Sequence, residues 1–136
     1  MRKYILVLII TIISFSACNE KDKPNIPYVY VDLMLYPNSM DYIPVGGYLY
    51  KNGGYRGLLI YRLTYEEFRV YERCCTYDPD KECAQTKVDE SGLILGCECC
   101  NSHFEILEGS PTTVPATYQL FRYNYTFDGE QLHIYN

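Results

Sequence analysis

The sequence predicts a small all-β, antiparallel fold, and four observations lead there. Tyrosine supplies 16 of the 136 residues and tryptophan none. No long stretch keeps apolar residues at helical spacing, and such a composition favours strands. Two segments alternate inward and outward residues with a period of two. Between the alternating segments stand Gly-containing turns, which supply the positive φ that tight hairpins require.

The elements follow in chain order. Met1-Arg2-Lys3 precedes an apolar run from Ile5 to Ile10 that continues through Ile12, Ile13, Phe15 and Ala17 to Cys18. An apolar stretch of roughly 14 residues behind a basic start fits an export signal, whereas a spanning helix needs about 20. The junction Ser14-Phe15-Ser16-Ala17-Cys18 resembles a bacterial lipoprotein signal, with Phe15 in place of the usual aliphatic residue. That resemblance implies a signal peptide over 1–17, a lipid on Cys18, and a protein exported to the bacterial cell envelope and anchored to a membrane. Residues 18–27, the lipidated cysteine and "NEKDKPNIP", read as a polar tether. Cleavage leaves 119 residues, enough for one domain over 28–136. It also leaves 10 basic against 17 acidic residues, a balance of −7 that offers nothing to nucleic acid.

In "YVYVDLMLY", residues 28–36, Val29, Val31, Leu33 and Leu35 share one face. Lys51-Asn52-Gly53-Gly54 separates the strand "GYLY" from "YRGLLIYRL". Thr64 to Glu67 is the one segment suited to a helical turn. Shorter strands are expected at Phe68 to Glu72, Gln85 to Val88 and Leu93 to Leu95, with Ser91-Gly92 between the last two. "TYQLFRYNYTF", 117–127, places Phe121, Tyr123, Tyr125 and Phe127 opposite Arg122, Asn124 and Thr126, and Asp128-Gly129 turns the chain into "EQLHIY".

Beyond Cys18 the chain carries Cys74, Cys75, Cys83, Cys97, Cys99 and Cys100. Export would place them where disulfides persist, and six cysteines allow 15 pairings. They form two clusters at strand ends, "RCCTYDPDKEC" over 73–83 and "GCECCNSHFE" over 96–105. These two motifs, with "VPATYQLFRYNYTFDGEQLHI" behind them, resemble a Rieske [2Fe-2S] domain across roughly residues 45–136. That family carries Cys-x-His on one loop and Cys-x-x-His on a second, followed by a Pro-Ala stretch and two closing strands.

The resemblance implies a sandwich of Rieske-like architecture, with a two-loop cluster-binding subdomain and electron transfer or redox sensing as its activity. By position Cys75 and Cys97 match the cysteine ligands, while Tyr77 and Cys100 stand at the two histidine positions. Ser102 and Phe104 match the residues after the second motif, and Asn101 replaces the usual glycine. Cys83 and Cys99 occupy the positions of the family's loop-to-loop disulfide. The implied cofactor is a [2Fe-2S] cluster, and the implied partners are a membrane, through the lipid, and a redox protein.

The residues also allow other readings. Cys74 and His103 are alternative ligands, because Cys100-Asn101-Ser102-His103 is itself Cys-x-x-His. Thiolates alone suffice for zinc, although only Cys97-x-x-Cys100 has the usual pair spacing. Without any cofactor, two further disulfides would leave a cluster-free structural or interaction lipoprotein. Enzyme chemistry is not expected: no nucleophile has a base in motif context, and no glycine-rich phosphate loop or His-Glu-x-x-His is present.

Overall fold

Val31 and Leu35 are buried, Val29 and Leu33 half-buried, and Tyr28, Tyr30, Asp32 and Met34 face outward. The alternation read from the sequence is therefore the alternation of the folded chain, but only Asp32–Leu35 is paired, as strand β1. The computed structural model describes residues 23–136. The expected signal, Cys18 and the first part of the tether lie outside the described residues. Of the rest of the tether, Pro24 and Ile26 are half-buried.

Among the described residues nine strands follow one another: β1 Asp32–Leu35, β2 Tyr48–Lys51, β3 Leu58–Arg62, β4 Phe68–Glu72, β5 Thr86–Val88, β6 Ile94–Cys97, β7 His103–Glu105, β8 Asn124–Phe127 and β9 Leu132–Tyr135. They form three antiparallel three-stranded sheets, ordered β1-β9-β8, β2-β3-β4 and β5-β6-β7. The middle sheet explains the rest. All five residues of β3 are buried: Leu58 to Tyr61 alternate between two cores, and Arg62 donates to the carbonyls of Ile43 and Tyr65. Leu58 and Ile60, with Phe68 and Val70 of β4, meet Leu35, Leu132 and Ile134 of the first sheet and Val31 just ahead of it. Leu59, Tyr61 and Tyr71 meet Cys75, Leu95, Cys97, Phe104 and Ile106 on the other side. The cysteine loops thus stand on the second core, at the end of the third sheet.

Two expectations need correction. Residues 117–127 do not form one strand: Leu120 belongs to the second core and Tyr123 to the first. The segment crosses between them, bridging Arg122 to Tyr71, so pairing as β8 begins only at Asn124 and Phe121 is turned to solvent. Thr64 to Glu67 is no helical turn. It closes the β3-β4 hairpin through Leu63 N to Glu67 O at 2.8 Å, and the Thr64 hydroxyl accepts Glu66 and Glu67 N–H. The expected hairpin turns do carry positive φ, at Gly53, Gly54 and Gly129. Gly54 is required twice over, since a Cβ there would collide with the Glu72 carboxylate and the Tyr123 hydroxyl.

Candidate metal centre

The first cysteine loop is built on Glu72, the last residue of β4. Its carboxylate is 1% exposed and accepts hydrogen bonds from the N–H groups of Tyr55 (2.7 Å), Arg56 (2.7 Å) and Cys74 (3.2 Å), and from the Tyr123 hydroxyl (2.9 Å). Four donors make a buried carboxylate tolerable. Burial and the adjacent Glu72 push the Tyr123 phenol well up, so it stays a neutral donor. Arg56, thus placed, extends its guanidinium to the carbonyls of Pro79 (3.2 Å), Lys81 (2.8 Å) and Glu82 (3.3 Å). The loop neck closes through Cys75 N to Ala84 O at 3.0 Å.

The second loop joins β6 to β7. Asn101 N bonds Cys97 O and Cys97 N bonds Ser102 O, each at 2.9 Å. The closure needs a left-handed residue, and Asn101 takes it with φ 58°. Asparagine tolerates that region better than other residues with a Cβ, which suits it to this position. A third segment ties both loops down: the Thr76 hydroxyl donates to Tyr118 O (2.7 Å), and Ala116 N donates to the Ser102 hydroxyl (3.0 Å). The fully buried Ser102 is therefore a structural strut. A disulfide joins Cys83 to Cys99, with Cα atoms 5.4 Å apart.

Between the loops the sulfurs of Cys75, Cys97 and Cys100 lie within 4.8 Å of one another, Cys75 and Cys100 at 3.6 Å. Cys75 and Cys97 are buried and Cys100 is half-buried. Backbone N–H groups favour the thiolate at each sulfur, that of Tyr77 at Cys75, those of Cys99 and Cys100 at Cys97, and that of Ser102 at Cys100. Burial pushes the Cys75 and Cys97 thiols up. At Cys100 burial acts in the same sense, but the hydrogen bonds with Ser102 and the neighbouring thiols outweigh it and hold that thiol below its ordinary value. The arrangement is three soft donors converging from two loops, with N–H dipoles aimed at where negative charge would sit.

The remaining ligand candidates are placed differently. Cys74 is fully buried, its sulfur directed at the carbonyls of Cys75 (3.6 Å) and Pro79 (3.8 Å), and burial pushes its thiol up to about 12. It is not one of the three converging sulfurs. Neither is His103, because alternation along β7 buries Ser102 and Phe104 and turns His103 the other way. Its Nδ1 lies 3.1 Å from the Thr113 hydroxyl. Tyr77 is 51% exposed on the first loop. Sequence reasoning missed the positioning residues Glu72, Arg56 and Thr76. Only Glu72 left a trace, as the charged last residue of an expected strand.

No protein-family model and no curated protein matches this chain. Solved structures do. A chain of the complex of reduced oxygenase and oxidized ferredoxin in carbazole 1,9a-dioxygenase aligns with a TM-score of 0.53 at 20% identity, covering 77% of this chain and 93% of the other. The ferredoxin of carbazole 1,9a-dioxygenase from Nocardioides aromaticivorans IC177 aligns with a TM-score of 0.51 at 14% identity, covering 79% of this chain and 97% of the other. The fold is Rieske-like, all-β and antiparallel, and a cysteine cluster occupies its two loops.

Proposed function

We propose, from a Rieske-like fold whose two loops bring three sulfurs together, that this domain is a one-electron carrier or redox sensor built around a [2Fe-2S] cluster. The observation that carries the reading is the convergence of Cys75, Cys97 and Cys100 within 4.8 Å. The donor set fits iron in its three thiolates and their N–H partners. Tyr77, two residues after Cys75 in the place of a Cys-x-His histidine, is proposed as the fourth ligand. When bound, such a cluster supplies reversible uptake of one electron.

This chain's own residues shape that chemistry. Exchanging neutral imidazoles for a thiolate and a phenolate adds negative charge and lowers the potential relative to two-histidine centres. Half-buried Cys100 lies nearer solvent than Cys75 and Cys97, so a redox protein would approach over Cys100 and the exposed Tyr77. One of the similar structures is a complex of oxygenase and ferredoxin, which supports a protein partner here as well. Export and anchoring through lipid on Cys18 are proposed on the sequence alone.

The test is iron, zinc and acid-labile sulfide analysis with visible absorbance on full-length protein purified anaerobically. About two irons and two sulfides per chain are expected for a [2Fe-2S] centre, with most iron lost in Cys100→Ser. Metal-free protein would sink the carrier and favour a cluster-free interaction lipoprotein, and a single zinc would make the site structural.

A further inference from the structure

We propose that Cys75 and Cys100 have a second activity: they form a dithiol that accepts oxidising equivalents from disulfide compounds and closes a further cross-link between the loops when the site holds no metal. The consequence for metal loading rests on the reading given above, whereas the bond itself does not.

The geometry selects this pair among the four free cysteines of the described residues. Cys75 and Cys100 face each other from opposite loops with sulfurs 3.6 Å apart. Cys74 directs its sulfur at backbone carbonyls. Cys97 is buried, with 2% exposure, and shares the tight turn of Cys100, whereas Cys100 is open enough to meet an external disulfide. The Cys83–Cys99 disulfide supplies the remaining element. Cys100 follows Cys99 directly, so the existing cross-link carries its neighbour to Cys75. The second bond then closes a ring through a short stretch of chain instead of across 25 residues, and the effective concentration of one sulfur at the other is high.

The chemistry balances as thiol–disulfide exchange. The Cys100 thiolate attacks one sulfur of the oxidant disulfide, forming a mixed disulfide and releasing the first half as a thiolate. Cys75 then attacks Cys100 Sγ and expels the second half. The two cysteines lose two electrons and two protons, and the oxidant becomes two thiols. The new bond occupies two of the three converging sulfurs, so the oxidised chain is closed to metal until a thiol reduces it.

The experiment takes the full chain, stripped of metal under reducing conditions and then exposed to oxidised glutathione. Thiols are counted by alkylation, cross-links are mapped on non-reduced peptides, and iron uptake is measured on the reduced and the oxidised samples. Expected are the loss of two thiols and a Cys75–Cys100 peptide that persists in Cys97→Ser and vanishes in Cys100→Ser. Iron uptake should be confined to the reduced sample. An unchanged thiol count, or a Cys97–Cys100 link alone, overturns the inference, and if the reduced sample still takes up iron the metal reading stands without it. The Cys75–Cys100 link in a protein whose reduced form binds no iron keeps the dithiol and overturns the metal reading.

Discussion

Glu72 connects parts of the chain that the sequence keeps far apart: the Asn52-Gly53-Gly54 turn side, the first cysteine loop and Tyr123 ahead of β8 all depend on its carboxylate. Its four partners are donors, so an amide cannot replace it, because the NH2 would confront N–H or O–H groups in a dry site. Glu72→Gln is expected to lower unfolding free energy by about 3 kcal/mol, the range for leaving buried donors unsatisfied. Urea unfolding measures this directly, and a loss below about 0.5 kcal/mol would mean that water replaces the carboxylate. The site residues were legible to different degrees at this scale. Motif position singled out Cys75, Cys97 and Cys100. Cys74 stayed an alternative beside Cys75, because only the course of the folded backbone decides which of two adjacent sulfurs enters the space between the loops.

At the scale of elements, the two loops are held by one covalent bond and by the segment that follows β7. A disulfide across 16 residues constrains the unfolded chain by about 3 kcal/mol in the chain-entropy treatment. Cys83→Ser, Cys99→Ser and the double variant should therefore all lose the same amount, since each removes the same bond. Calorimetry on the three proteins checks it, and additive losses would show that the two cysteines act separately. Strands with period-two alternation and glycine turns were readable, as β1 and the β8-β9 hairpin show. Less was visible at 102–105, where β7 has only three residues, too few to display a period. The run 117–127 looked uniform although it changes partners midway, because alternation reports that side chains are buried and is silent about which core receives them.

For the whole molecule, the proposed lipid on Cys18 would set where the proposed electron chemistry takes place. Cys18→Ala is expected to move the protein from the membrane fraction to the soluble fraction without altering the thiol count or iron content of the folded domain. Fractionation with immunodetection reads the outcome, and a variant that stays with the membrane would place the anchor elsewhere. Among the described residues, no helix is long and apolar enough to cross a membrane.

By itself the sequence determined that the chain is a β protein, where its hairpins turn, and that two cysteine loops follow one another in a Rieske-like order, because alternation, positive-φ residues and motif spacing are local properties. The tertiary structure alone decided that β3 is buried on both faces, that Glu72 underpins the first loop, and that three sulfurs meet while Cys74 and His103 point elsewhere. Those outcomes depend on how three sheets stack, and that stacking brings together residues that no short window of sequence contains.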